Sequence, residues 1–392
     1  MTAARLAPLA SREHENAPRT PPATSGHQDA SRPSGPAART LMIMAGGTGG
    51  HIFPALSVAE YVRAQGWNVV WLGSRSGMEG RIVPARGYTL AHIRFSGLRG
   101  KGIVRMALLP LNLLIAFWQS ARAVFAHRPD VVLGMGGYVA FPGGMMASFL
   151  NRPLAIHEQN SVAGLTNRVL GQLADKVLVA FQNAFGRRLK VEWTGNPVRA
   201  EIAAIAPPET RFAGRRGRLR LLVLGGSQGA RALNEVVPDA LLQLDEATRP
   251  QVTHQAGTGH ADALRERYAN AGVAADVLPF IEDMAATYAA ADLMICRAGA
   301  STIAEIAAAG VASVLVPFPH AVDDHQTRNA RFLADRDAAI LIPESELTAE
   351  KLAGLLARLD REKLLAMAQA ARAAGKPEAT RAVAEACMAL AA

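Results

Sequence analysis

His51 closes the run Gly46-Gly47-Thr48-Gly49-Gly50 and opens an amphipathic helical pattern. At a helix start the dipole disfavours the imidazolium cation, which keeps the ring neutral and basic. A neutral imidazole facing a cleft is what a general base needs. The glycines allow positive φ and close approach to bare backbone, so the turn also suits an anion, unless it serves the chain's geometry alone. No Gly-Lys-Ser/Thr follows it, and the spacing is not G-x-G-x-x-G. The second strand ends Trp71-Leu72-Gly73-Ser74-Arg75, without the acid that would hold a dinucleotide ribose.

Further along, Gly134-Met135-Gly136-Gly137-Tyr138 is another glycine turn after an apolar strand and offers a seat for a second phosphate. His157-Glu158-Gln159-Asn160 places four polar groups at a strand's carboxyl end, where open α/β sheets bind ligands. Adjacent residues on a strand face opposite ways, which argues against His157 and Glu158 sharing a metal. Gly225-Gly226-Ser227-Gln228-Gly229 repeats the first device in the second half of the chain. Cys296-Arg297-Ala298-Gly299-Ala300-Ser301-Thr302 is a further helix start open to phosphate, with Glu305 one turn in, placed to hold a ribose diol. Gln326 and Asn329, at i and i+3, share a helix face, and amides suit sugar hydroxyls. Asp335-Arg336-Asp337 matches a short metal-chelating pattern but ends a charged helix, and reads as solvated surface.

These groups need a scaffold that points strand ends at one another. Strands at 67–72, 88–93, 131–133, 154–156 and 177–179 alternate with helical segments, and strands at 220–224, 252–254, 275–278, 293–296 and 313–316 repeat the rhythm. That pattern predicts α/β architecture: two doubly wound parallel-sheet domains facing one cleft. Residues 1–39, with six prolines and no apolar periodicity, read as a disordered leader without a secretory h-region. Boundaries follow at 40–198 for the first domain, 199–365 for the second and 366–392 for a terminal helical segment packing back on the first. The polar, Arg-rich stretch 206–218 reads as the linker.

The chain has 392 residues, a formal charge of +9 and two cysteines. A basic balance suits nucleic acid, an anionic membrane or phosphorylated substrates. No zinc, RNP-like or basic-helix signature supports nucleic acid. Two cysteines give no disulfide framework and point to a reducing compartment. Ile103–Trp118 is densely apolar, preceded by Arg94, Arg99 and Lys101, and interrupted by Arg105, Pro110 and Asn112. It is too short and broken for a clean span. Two readings stay open: a buried helix covering the sheet, or an apolar patch with a basic rim resting on an anionic membrane.

The ordered set GGTGGH (46–51), GMGGY (134–138), HEQN (157–160), GNPVR (195–199), GGSQGAR (225–231), CRAGASTIAE (296–305) and DDHQTRN (323–329) resembles the MurG family. These are bacterial undecaprenyldiphospho-muramoylpentapeptide β-N-acetylglucosaminyltransferases, of GT-B fold and family 28 type. The resemblance runs from about residue 40 to the end. It implies two Rossmann-like domains and transfer of GlcNAc from UDP-GlcNAc to the C4 hydroxyl of MurNAc in lipid I, giving lipid II for peptidoglycan. It implies donor contacts at Thr48, Gly49, Gly50, Asn160, Arg199, Ser227, Ile281, Ala300, Ser301, Thr302, Ile303, Ala304, Glu305, Gln326 and Asn329. His51 and Glu305 are the candidates for a catalytic role, His51 as base. The lipid I diphosphate would sit on Gly136, Gly137 and Tyr138. No cofactor and no metal are implied. The implied place is the cytoplasmic face of the inner membrane, peripherally held on an anionic surface, with no nucleic acid partner. Two rivals are an NAD-dependent or epimerase-like enzyme on the same kind of sheet and a non-catalytic sugar-nucleotide-binding subunit.

Overall fold

The computed structural model describes residues 38–95, 108–186, 189–226 and 228–391. The leader up to Ala37, the basic stretch 96–107 and Ser227 lie outside the described residues. Strand β1 (Thr40–Met44) is the centre of the first half, and Leu41, Met42, Ile43 and Met44 are fully buried. Each such side chain contributes about 1.5–3 kcal/mol on leaving water. Burial on both faces is why the strand reads as a continuous apolar run rather than an alternation.

The remaining strands of the first sheet are β2 (Asn68–Gly73), β3 (Thr89–His92), β4 (Val131–Gly134), β5 (Leu154–Glu158), β6 (Lys176–Val179) and β7 (Glu192–Trp193). They pair in parallel in the order β3-β2-β1-β4-β5-β6-β7. Helices α1 (Gly49–Ala64), α2 (Met78–Ala85), α3 (Leu109–His127), α4 (Ala140–Phe149) and α5 (Leu165–Leu170) are the crossovers among them. The order reverses between β1 and β4. A crevice therefore opens beyond their carboxyl ends, where the first two glycine turns stand.

Two short helices, α6 (Ala200–Ala203) and α7 (Pro208–Phe212), lead to the second sheet. This stretch joins the two sheets, and its own arginines tie it down. Arg211 donates to the carbonyls of Tyr288 and Ala309, and Arg215 pairs with the buried Asp292. The cations are spent on orphaned carbonyls at helix ends.

In the second half β8 (Arg220–Leu224), β9 (Gln251–Gln255), β10 (Ala275–Leu278), β11 (Leu293–Cys296), β12 (Ser313–Leu315) and β13 (Ile340–Leu341) form a parallel sheet ordered β10-β9-β8-β11-β12-β13. Its reversal lies between β8 and β11, so both domains open at the same topological point. The helices are α8 (Arg231–Leu242), α9 (Ala261–Asn270), α10 (Met284–Ala290), α11 (Ala300–Ala309), α12 (His325–Ala334) and α13 (Ala349–Leu356). The boundary expected at residue 366 falls inside α14 (Arg361–Ala374), whose Leu364, Ala368 and Ala371 are buried in the second domain's core. Only α15 (Ala379–Leu390) returns to the first domain. It packs on α1, and Thr380 exchanges hydrogen bonds with the backbone of Val198.

Candidate active site

His51 is the third residue of α1 and half-buried. Its Nδ1 lies 3.2 Å from the Gly46 carbonyl, which can only accept, so the proton sits on Nδ1 and the Nε2 lone pair is left as the base. Burial lowers its pKa below the usual histidine value. The Glu158 and Glu79 carboxylates pull it part of the way back, and His325 on α12 opposes the cation. The ring is therefore neutral near pH 7, with burial rather than the helix start as the main cause.

The turn after β4 packs directly on this group. A Cβ on Gly136 would stand 2.8 Å from His51 Cδ2, and both Gly136 (φ +94°) and Gly137 (φ +84°) are left-handed. The two glycines were expected to be bare for a phosphate. Their bareness is used first to let the two turns meet, Gly137 against the Gly46 carbonyl. The amides of Gly136, Gly137 and Tyr138 have no partner among the described residues, so their backbone remains open to an anion. The Tyr138 hydroxyl is not open: it donates to Glu79 at 3.2 Å. On α1, the amides of Gly49 and Gly50 are likewise unpartnered among the described residues.

Glu158 and His157 part company, as alternation on β5 requires. His157 Nε2 donates to the Gly195 carbonyl at 2.9 Å, and burial drives its pKa down to about 4. Glu158 is buried and accepts from the Asn160 amide, the Gly164 amide and Asn167 Nδ2, which shapes the loop that carries Asn160.

On the donor side, Gly299 caps α11 and the amides of Ala300, Ser301 and Thr302 find no partner among the described residues. Ser301 Oγ is buried and unpartnered beside them. An orphaned hydroxyl and three orphaned amides at one helix start are what a phosphate would satisfy. The second device differs from expectation. Helix α8 begins at Arg231, not at the glycine run, because Gly226 and Gly229 are left-handed and hold a loop first. Ser227 itself is outside the described residues.

Glu305 and Arg199 form one unit. Arg199 Nε and Nη2 both donate to Oε1, and Tyr288 donates to Oε2 at 3.0 Å. Burial lifts the carboxyl above its usual range, and the two donors work against that rise. Gln326 Oε1 accepts from the Ala298 and Phe318 amides, which leaves its Nε2 donors for a ligand.

Three expected contacts are displaced. Asn329 is fully buried, and its amide group is spent on Ser161 N, Asn160 Oδ1 and the Ala298 carbonyl. It ties the two domains together in this structure. Ile281 and Ile303 bury their side chains in the second core, so only their backbone can serve a ligand. Ala304 is half-buried and lines the crevice toward Phe181 and Trp193 of the first domain. Asp335-Arg336-Asp337 is exposed, as read from the sequence.

Sequence reasoning passed over Glu79, which touches three loops of this site. A glutamate in the first turn of a short helix carries no local signal beyond a favourable dipole.

Residues 41–179 match the glycosyltransferase family 28 N-terminal domain, and residues 220–384 its C-terminal domain. A UDP-N-acetylglucosamine–N-acetylmuramyl-(pentapeptide) pyrophosphoryl-undecaprenol N-acetylglucosamine transferase of Aromatoleum aromaticum is 61% identical over 354 residues, covering 90% of this chain and 98% of the relative. The protein of the same name from Burkholderia thailandensis is 57% identical over 357 residues, covering 90% and 96%. Among solved structures, Acinetobacter baumannii MurG superposes with a TM-score of 0.79 at 43% identity, over 90% of this chain and 99% of that one. A putative UDP-N-acetylglucosamine 2-epimerase of Listeria monocytogenes, 15% identical with a TM-score of 0.59 over 88% and 95%, shares the fold alone. With both domain matches in order and relatives at this identity over nearly their whole length, the chain belongs to glycosyltransferase family 28, among the UDP-N-acetylglucosamine–N-acetylmuramyl-(pentapeptide) pyrophosphoryl-undecaprenol N-acetylglucosamine transferases.

Proposed function

We propose that this chain transfers N-acetylglucosamine from UDP-N-acetylglucosamine to the C4 hydroxyl of the N-acetylmuramyl unit in undecaprenyl-pyrophosphoryl-MurNAc-pentapeptide, lipid I, giving lipid II. The observation that carries this reading is the pairing of a base with an anion seat across the domain boundary. His51 presents a free Nε2 from the first domain, and the unpartnered Ser301 hydroxyl and α11 amides wait on the second. Helices α1 and α11 touch, so the two halves belong to one site.

The reaction is an inverting displacement. His51 Nε2 takes the proton of the acceptor hydroxyl as its oxygen bonds to the anomeric carbon, and the bond from that carbon to the diphosphate breaks. Negative charge moves onto UDP. The α11 start stabilises it by about 0.3–1 kcal/mol from the helix dipole, more where water is excluded. Glu305 and Arg199 face the ribose, and Gln326 Nε2 the sugar.

Lipid I is held in a bilayer by its polyprenyl chain, so the first domain must come to the membrane surface. Helix α3 supports a peripheral seat on the cytoplasmic face of the inner membrane. Ala116, Ser120, Ala123 and Val124 pack inward, while Leu111, Leu114, Trp118 and Phe125 point out and are each more than half exposed. By length and composition the helix could cross a bilayer, but its inner stripe packs against α4 and the edge of the first sheet. An anionic leaflet adds about 1 kcal/mol per nearby cation.

The test is transfer by the purified chain from UDP-N-acetylglucosamine to a soluble lipid I analogue, with UDP-glucose and UDP-N-acetylgalactosamine as competitors. Acceptor-dependent UDP release with preference for the N-acetylglucosamine donor is expected. UDP release that ignores the acceptor, or no transfer at all, sinks the reading.

A further inference from the structure

Glu79 is fully buried on the first turn of α2, and no cation pairs with it among the described residues. A buried carboxylate without a counter-charge is costly unless hydrogen bonds replace its water. Here three donors do so. Gly47 N reaches Oε2 at 3.2 Å, Ser74 N reaches Oε1 at 3.0 Å, and the Tyr138 hydroxyl reaches Oε1 at 3.2 Å. These donors come from the loops after β1, β2 and β4. The seat is cut out of glycine. A Cβ on Gly46 would stand 2.7 Å from the carboxylate, one on Gly77 2.3 Å, and one on Gly73 2.8 Å from Glu79 Cγ.

We propose that Glu79 is the positioning residue of the acceptor half-site: its carboxylate locks the Gly46–Gly50 turn, the Ser74–Gly77 loop and Tyr138 into the one arrangement that aims His51 and the free loop amides at the acceptor. This rests on the transferase reading above. The geometry gives the reason for a carboxylate in particular. An ionised carboxylate only accepts, and has about four lone-pair sites for the three donors that converge on it. A glutamine would turn an N–H₂ toward at least one N–H or O–H donor. The Tyr138 ring is held too: it lies 3.3 Å from where a Gly47 Cβ would be, and its hydroxyl is kept protonated, with burial first and Glu79 second pushing its pKa up to about 12. The free amides of Gly49, Gly50, Gly136 and Gly137 all stand on loops that this carboxylate ties. Its three direct donors, Gly47, Ser74 and Tyr138, are none of the residues implied for the donor, whose anion seat stands at the α11 start on the second domain.

The experiment compares Glu79→Gln with the unsubstituted chain. Acceptor KM for a soluble lipid I analogue should rise about tenfold, the size expected for one lost charge-assisted hydrogen bond, while UDP affinity by calorimetry stays the same. Gly77→Ala pushes on the carboxylate from behind at ordinary backbone angles and should shift acceptor KM in the same direction with the charge intact. It also serves if Glu79→Gln fails to fold. Folded variants with unchanged acceptor KM overturn the proposal. So does a loss of UDP affinity that matches the loss for acceptor, which would mean general loosening. If the unsubstituted chain transfers nothing, the transferase reading fails, and hydrogen exchange over residues 45–51 and 74–77 still decides this one. Faster exchange in Glu79→Gln than in the unsubstituted chain supports the lock, and equal exchange overturns it.

Discussion

Arg199 and Glu305, 106 residues apart, meet at 2.8 Å between Nη2 and Oε1, with Nε on the same oxygen at 3.1 Å. With Tyr288 on Oε2, three of the roughly four lone-pair sites of the carboxylate are filled. A ribose diol arriving at Glu305 must therefore share the carboxylate with Arg199 or displace it. On the proposed function the two residues would bind the donor as a pair.

Glu305→Ala removes the diol's acceptor and strands the Arg199 guanidinium. UDP-N-acetylglucosamine affinity should fall about tenfold or more, and calorimetry reads it. Wild-type affinity in the variant would remove Glu305 from the donor site.

His51→Ala should lower turnover by about 10²–10⁴ with donor affinity unchanged. Burial above all holds its pKa below the ordinary histidine value of 6.5. The base is active when deprotonated, so activity should hold as pH falls to 6.5 and be lost only below it. An acid limb above that value, or full turnover in the variant, would point to another base.

His157 gives a stability prediction. Burial holds its pKa at about 4 in the fold, against an ordinary histidine value of 6.5. Between those two values the unfolded chain binds a proton that the native state refuses, so stability falls as pH drops through the window and levels off below it. The full loss is about 3 kcal/mol at most. His157→Gln keeps a donor for the Gly195 carbonyl and should flatten the fall in Tm between pH 6.5 and 4. An unchanged slope would show that His157 does not titrate in this way.

Changing Leu111, Leu114 and Trp118 on α3 to Ser should release the chain from anionic vesicles and leave UDP affinity and Tm unaltered. All three are exposed, so the substitution opens no cavity. Salt should release the unsubstituted chain as well, because surface charge is screened over about 10 Å at 0.1 M. Equal sedimentation of the variant would place the membrane face elsewhere.

Much of this molecule is written locally. Apolar runs ending in glycine gave the strands and turns after β1, β4 and β8, because strand burial and positive φ are properties of neighbouring residues. The helix start that presents His51 was legible for the same reason, whereas the burial that keeps its ring neutral was not. Tertiary structure decided what each polar group spends its hydrogen bonds on. Asn329 looked like a sugar ligand and is consumed by Ser161, 168 residues away. Tyr138 offered a hydroxyl and gives it to Glu79, and α14 stays with the second core although the chain around it reads as one helical tail. The physical reason is common to all three. A side chain's type fixes how many partners it wants, but only packing brings residues from distant loops within 3 Å or so and settles which partners it gets.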